Sequence, residues 1–156
     1  MPIYMKYDGV DGDVTAEGHK DWINLHTVSW GSSRNVTTSG EAGQRQKSAI
    51  QMREVVISKD RDHASGKLWR EHLMGDPKTV EMVWTTNSQG GESIFQKIKL
   101  TNVLISSFSS AGSADSKPME QISFNFTEIE GTFFDMAHEG TKTTKPFVQS
   151  YNLSKG

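Results

Sequence analysis

The residues that could carry out chemistry are five histidines and the acidic residues near them in the sequence. A hydrolytic site without cysteine needs a serine, threonine, lysine or carboxylate beside such a base. The spacing brings no histidine beside an acid and a serine in a known catalytic order, and no G-x-S-x-G or H-E-x-x-H motif occurs. The sequence therefore predicts a protein that is not an enzyme. The histidines are His19, His26, His63, His72 and His138.

Two groups of acidic residues could still bind a metal or form an acid–base pair. Asp135, His138 and Glu139 could supply metal ligands, but their stretch is rich in Gly, Thr and Lys and offers no rigid framework. Glu128 and Glu130 share one face of a predicted strand and could imitate a glycosidase pair. Exposed strand carboxylates are much commoner than such pairs. We expect no catalytic residue, no metal and no cofactor.

Length and composition restrict the class of protein further. The chain has 156 residues and no cysteine, which fits one domain over residues 1–156 with neither disulfides nor a cysteine-based metal site. Its net charge is −2 with the signs interspersed, so we expect no nucleic-acid partner. No segment approaches the length of about 20 apolar residues that spans a bilayer. The N-terminus has no apolar run followed by a cleavage site, so we expect a soluble protein without membrane insertion or a cleaved signal peptide.

An alternating stretch in the last third of the chain predicts the central strand of the fold. Ile122, Phe124 and Phe126 are separated by single polar residues, and a period of two sends side chains to opposite faces of a strand. The next apolar residue, Ile129, breaks this phase. The pattern predicts either a bulge near residues 127–128 or a strand that passes from one packed layer to another.

Other alternating segments predict further strands and one helix. In the helix, Ser65 is expected to cap the N-terminus, and Gly75 marks the C-terminal end. An apolar stripe of Leu68, Trp69, His72 and Leu73 is expected to pack on the strands. A loop is expected at residues 109–117. The remaining strands are predicted at residues 3–8, 21–31, 49–59, 79–86, 92–108 and 147–153.

One helix among seven or eight strands predicts a mainly β fold. The hairpin-type loops favour a small antiparallel β-barrel, formed by two packed sheets, with one flanking α-helix.

Residues 31–48 form a polar segment that contains one large apolar residue, Val36. Such a segment cannot bury enough surface to fold alone, and a compact domain rarely keeps so long a loop without a function. We expect it to project and contact a partner, although a surface loop without a role is the alternative. The residues expected to make the contact are Arg34, Asn35, Val36, Thr37, Thr38, Glu41, Gln44 and Arg45.

Three stretches of the chain together carry a family resemblance. They are residues 7–13 with 21–23 and 29–31; residues 55–59 with Asp62, 65–68 and Gly75; and residues 100–108 with Pro118 and 122–130. In this order and spacing they resemble the haemolysin-coregulated protein (Hcp) family, the tube protein of bacterial type VI secretion systems. The sequence departs from the family at Gly66, where proline is common, and at residues 131–134, where the family is richer in tyrosine.

The resemblance implies a hexameric ring that stacks into a hollow tube. It implies four kinds of partner: further copies of the chain, a spike protein of the VgrG type, contractile sheath proteins and effector cargo in the lumen. It implies a protein held in the bacterial cytoplasm and then secreted. Residues 31–48 become candidates for ring stacking, and Ser29 becomes a candidate for contact with cargo. The alternatives are a phage-type tail-tube subunit and a small non-catalytic binding module.

Overall fold

The computed structural model describes residues 1–36, 49–88, 91–134 and 146–155, and these residues form eleven strands and one helix. None of the described helices is long and apolar enough to cross a membrane. The elements are β1 (Ile3–Tyr7), β2 (Ile23–Leu25), β3 (Thr27–Ser29), β4 (Ser32–Ser33), β5 (Gln51–Met52), β6 (Val55–Asp60), α1 (Ser65–Met74), β7 (Lys78–Ser88), β8 (Gly91–Ser113), β9 (Ser116–Asn125), β10 (Glu128–Phe133) and β11 (Phe147–Asn152).

The long strand β8 organises the sheet. Its first part pairs with β7 as far as Val103, and its second part pairs with β9 from Leu104 onward. The strand β10 pairs with the first part of β8 on the side opposite to β7. The strands β9 and β10 pair with successive parts of β8 in the same register. The strand β7 therefore lies on one side of β8, whereas β9 and β10 both lie on its other side.

The strands close into an antiparallel barrel because the segment made of β2 and β3 pairs with the first strand of the sheet through β2 and with the last through β3. The strands β2 and β3 are separated only by His26. The first of them pairs with β1 and the second with β6. The order β2-β1-β7-β8-β9-β6-β3 therefore returns to its starting segment. The predicted mainly β barrel with one helix is confirmed.

The interior of the barrel is filled by alternate residues of its longer strands. Ile122 and Phe124 are fully buried and Phe126 is 5% exposed, as the alternating pattern predicted. Burying a side chain of this size contributes about 1.5–3 kcal/mol. Leu68 of the helix and the N-cap residue Ala64 join the same core.

The change of phase after Phe126 marks the point where the chain leaves the barrel. The strand β9 ends at Asn125, and β10 begins at Glu128. Across this break the neighbour on the far side changes from β6 to β11, while β8 remains the partner on the near side. Both Phe126 and Ile129 are buried although they are three residues apart. Of the two predicted alternatives, a bulge or a passage between packed layers, the change of neighbouring strand favours the passage.

The predicted loop at residues 109–117 is wrong. The strand β8 continues to Ser113, and β9 begins at Ser116, so only residues 114–115 separate them. Ser109 pairs with Gln121 and Ala111 with Met119. Small residues have weak strand propensity, but pairing with a neighbouring strand overrides it.

The predicted cap of the helix is also wrong. Ser65 is the first helical residue, and the N-cap position is held by Ala64 without a side-chain cap bond. Asp62 takes over part of this role, because its Oδ1 accepts the Ala64 N–H at 2.9 Å. The predicted end is confirmed, since the helix stops at Met74 and Gly75 donates its N–H to Glu71.

The apolar stripe of the helix packs only in part. Leu68 is fully buried, but Trp69 is 54% and Leu73 is 58% exposed, so the prediction that all of the stripe packs on the strands is wrong. His72 is half-buried and its Nδ1–H donates to the carbonyl oxygen of Ile105 at 2.8 Å. The four residues of the stripe spread over too wide a part of the helix surface for all of them to face the barrel at once.

Candidate interaction surface

Ser29, the predicted cargo-contact residue, is exposed on the outer face of the barrel. It lies at the end of β3 and pairs with Val56 of β6. Its neighbour Val28 packs against the core instead. The alternation of the strand therefore turns the Ser29 side chain away from the barrel interior.

The register of the strands places Ser29 in one of two neighbouring rows of side chains that cross β3, β6, β9 and β8. Residues directly opposite one another lie close enough for their side chains to interact. In the row of Ser29, Val56 pairs with Ser123, and Ser123 pairs with Ser107. The parallel row contains Thr27, Ser58, Gln121 and Ser109. All eight side chains are exposed or half-buried. We call these eight residues the hydroxyl face.

The hydroxyl face offers hydrogen bonds without charge. Six of its eight side chains are serine or threonine, one is an amide, and one is valine. The hydroxyls of Thr27 and Ser58 lie 2.5 Å apart, and Ser109 donates to the carbonyl oxygen of Gln121 at 3.4 Å. Such a surface can form weak polar contacts but exerts no strong electrostatic pull on a passing molecule.

A contact between a histidine and an aspartate borders this face, but it does not make the serines nucleophiles. His26 Nε2 lies 3.0 Å from Asp60 Oδ1, and both side chains are 47% exposed. Activation of a serine requires a base within hydrogen-bond reach of its hydroxyl. Among the described residues, no serine or threonine hydroxyl bonds to His26.

The residues predicted to contact a partner begin at the base of a small hairpin. The strands β4 and β5 pair Ser32 with Met52, and the N–H of Arg53 donates to the carbonyl oxygen of Gly31 at 3.0 Å. The three predicted residues that follow β4 are exposed: Arg34, Asn35 and Val36. The other predicted contact residues lie outside the described residues: Thr37, Thr38, Glu41, Gln44 and Arg45. The residues considered as metal ligands, Asp135, His138 and Glu139, also lie outside them.

The structure also contains a buried charged cluster that the sequence reading missed. Lys59 is fully buried, and its Nζ donates to Glu120 Oε1 and to Asp62 Oδ1, each at 2.8 Å. Ser65 joins the cluster by donating to Glu120 Oε1 at 2.8 Å. The cluster therefore ties the ends of β6 and β9 to the start of α1.

A signal for this cluster was present in the alternation of two strands. Lys59 has the same parity as Val55 and Ile57, and all three are buried. Glu120 has the same parity as Ile122 and Phe124 in β9. A charge at an inward position must be paired, because an isolated buried charge is very unfavourable. Register supplies the partner, since Lys59 lies directly opposite Glu120.

Within the part of the chain that the structure describes, two buried tyrosines are the titratable groups with clearly shifted pKa values. Burial, followed by a hydrogen bond to Glu92, raises the pKa of Tyr4 to about 12. Burial, followed by the charge of Glu71, raises the pKa of Tyr7 to about 12. A general acid or base works best with a pKa near the ambient pH. Neither tyrosine is therefore suited to general acid–base catalysis near neutral pH. The described residues also contain no group of three or more metal-ligating side chains placed to hold a metal ion.

Comparison with known proteins gives one family. Residues 4–133 match the family described as "Type VI secretion system effector, Hcp". A solved structure described as a type six secretion system protein is 26% identical, with a TM-score of 0.88 over 99% of this chain and 96% of that one. No curated protein sequence matches.

More distant structures share the fold. Hcp1 from Salmonella typhimurium is 17% identical, with a TM-score of 0.78 over 99% of this chain and 95% of its own. A type VI secretion system effector from Yersinia pestis is 21% identical, with a TM-score of 0.71 over 96% of this chain and 98% of its own.

Proposed function

The chain belongs to the Hcp family and is a tube subunit of a type VI secretion system, and we propose which of its surfaces lines the lumen and which joins one ring to the next. Members of the family are secreted and assemble into rings. We propose that residues 1–156 act as one domain without catalytic activity. The hydroxyl face then lines the lumen, and residues 31–48 join one ring to the next.

The observation that carries this proposal is the extent of the family match. Residues 4–133 contain all but the first residue of the strands that close the barrel, together with α1 and β10. The matched region therefore includes the whole surface on which Ser29 lies.

The chemistry of the hydroxyl face supports a lumen position. A wall that carries cargo and is itself expelled should hold its contents weakly, so that binding does not prevent release. Uncharged hydroxyl and amide groups meet this requirement because single neutral hydrogen bonds contribute only about 0.5–1.5 kcal/mol. Ser29 lies near one end of a row on this face and is the proposed contact with cargo.

Thiol labelling can test the lumen position directly because the natural chain contains no cysteine. In assembled tubes, Ser29→Cys should react with a small maleimide but at least about tenfold more slowly with a polymer-linked maleimide, because only the small reagent diffuses freely along a narrow channel. The rate is measured by a gel shift of the labelled chain. The same variant, dissociated into subunits, is the control and should react with both reagents alike. Equal reactivity in the tube would place Ser29 on the outside.

Residues 31–48 are the proposed stacking segment. The exposed residues Arg34 and Val36 leave the body of the protein from the β4–β5 hairpin, which gives the segment a fixed base. We propose that the segment reaches the neighbouring ring and that its polar residues form the contact.

Deleting residues 34–46 should leave rings intact and abolish tubes. The deletion keeps the β4–β5 pairs and all of the buried core residues that the structure describes, so the far-ultraviolet circular dichroism and the ring mass from light scattering should match the natural chain. Negative-stain micrographs of the natural chain should show annular particles and tubes. Tubes formed by the shortened chain would refute the stacking role, and a natural chain that stays monomeric at high concentration would refute the ring itself.

The same proposal implies specific partners for the tube. We propose that the tube is built in the bacterial cytoplasm, beneath a spike of the VgrG type and inside a contractile sheath, and is then expelled with effector cargo. Copurification with sheath proteins and a spike tests this assignment.

A further inference from the structure

The segment of residues 12–22 covers the outer face of β1 and β7, and we call it the strap. Tyr4 of β1 and Val83 of β7 lie opposite each other. Both point outward, because their neighbours Met5 and Met82 belong to the core of the barrel. The strap buries them in a second apolar cluster that is much smaller than the core. The strap contributes Val14, Ala16 and Trp22 to this cluster, and β8 contributes Ile94.

A turn places His19 beside this cluster. The N–H of His19 donates to the carbonyl oxygen of Ala16 at 3.0 Å, and Gly18 has the positive φ, 84°, that such a turn requires at its third residue. The ring centroid of His19 then lies 4.9 Å from that of Trp22 and 5.2 Å from that of Tyr4. Because His19 is only 9% exposed, aromatic side chains surround its imidazole in place of water.

One nitrogen of this imidazole is buried without a partner. Among the described residues, no hydrogen-bonding group lies within reach of His19 Nδ1. A neutral imidazole carries one N–H, so Nδ1 can stay a bare acceptor while Nε2 holds the hydrogen. A protonated imidazole has an N–H on both nitrogens. Protonation therefore places a donor and a positive charge where nothing accepts them, and burying such a group is unfavourable.

The charged groups around the strap do not supply the missing acceptor. The carboxylate of Glu92 on β8 is occupied, because its Oε1 accepts the hydroxyls of Tyr4 at 2.9 Å and of Thr85 at 2.7 Å. Lys97 of β8 lies directly opposite Val83 and adds a second positive charge on this side of the sheet. The remaining charged residues are two on the outward faces of β1 and β7 and four in the strap: Lys6, Glu81, Asp13, Glu17, Lys20 and Asp21.

We propose that the strap is an acid-released cover, which is docked while His19 is neutral and lifts from β1 and β7 when His19 is protonated. This inference concerns the single subunit and does not depend on assembly of the tube. In the lifted strap the imidazole is in water, so the lifted state binds more protons than the docked state. Acid therefore favours lifting, by at most about tenfold per pH unit for one proton. The response falls between about pH 7 and pH 5, within the range in which histidine changes its charge.

Hydrogen exchange of the strap tests this proposal. The N–H groups of Val14 and Asp21 bond within the strap, at 3.0 and 2.8 Å. From about pH 7 to pH 5 their protection, corrected for the intrinsic exchange rate at each pH, should fall roughly tenfold in the natural chain. In His19→Phe the protection should stay constant, because phenylalanine keeps an aromatic ring in the cluster and does not titrate. His26→Gln is the matched control, since His26 is exposed, and it should respond like the natural chain.

A second variant separates the histidine from the carboxylate beside Tyr4. In Glu92→Gln the amide oxygen can still accept both hydroxyls, so the acid response should persist; its loss would assign the response to Glu92 and overturn the proposal. An unchanged response in His19→Phe would also overturn it. If that variant folds poorly, the natural chain still decides, because its protection should fall in the strap and not in β6 and β9. Constant or rising protection of the strap in acid would contradict the proposal, and a rise would show that the aromatic rings hold the cation.

Discussion

Replacing Lys59 with methionine is expected to lower the free energy of unfolding by about 3–5 kcal/mol, the usual effect of breaking a buried ion pair. The substitution keeps most of the volume of the side chain but leaves the carboxylates of Glu120 and Asp62 without their cation. Glu120 is only 4% exposed, so water cannot replace the lost contact. Urea unfolding at pH 7, followed by circular dichroism at a fixed protein concentration, measures the change.

A surface lysine provides the matched control. Lys97 lies 4.0 Å from Glu81, and its side chain is 39% exposed. Lys97→Met should therefore change the free energy of unfolding by less than about 1 kcal/mol, because exposed ion pairs contribute little. Adding Glu120→Met to Lys59→Met should restore part of the loss, since it removes an unpaired buried charge. A loss below about 1 kcal/mol for Lys59→Met would show that the cluster is not important for stability.

Replacing Gly12 with alanine is expected to lower the free energy of unfolding by about 3 kcal/mol, at the upper end of the usual effect of overpacking. An added Cβ would lie 2.5 Å from the carbonyl oxygen of Trp22 and 2.8 Å from the Cα of Ile23. Both are backbone atoms, so no side-chain rotation can relieve the contact. The segment around Asp21 and Trp22 would have to move away from residue 12. That movement would disturb the hydrogen bond from the Gly12 N–H to the carbonyl oxygen of Asp21, which is 2.7 Å long. Thermal and urea unfolding measure the effect.

Gly66→Ala is the control of opposite sign. An added Cβ at Gly66 meets no atom within 4 Å, and the residue lies in α1. Alanine should therefore stabilise the chain by about 0.5–1 kcal/mol, because it has fewer unfolded conformations to lose than glycine. If Gly12→Ala unfolded within about 0.5 kcal/mol of the natural chain, the close approach of residues 12 and 22 would not be a constraint on the fold.

The sequence by itself determined the barrel class and most of its strands. A period of two in Ile122, Phe124 and Phe126 is a local property, and it specifies a strand with one buried face whatever the partners are. The end of α1 at Gly75 was equally local. The family resemblance also came from the order of short motifs and was confirmed.

Only the tertiary structure decided which polar residues lie inside and which surfaces remain open. The inward position of Lys59 became meaningful when register placed Glu120 opposite it. Residues 109–117 became strand because β9 pairs with β8, not because of their own propensity. Trp69 and Leu73 have the pattern of packed residues, but Leu68 is the residue of that stripe that the barrel fully buries. Pairing and burial join residues that are distant in sequence, so no short window of the chain contains them.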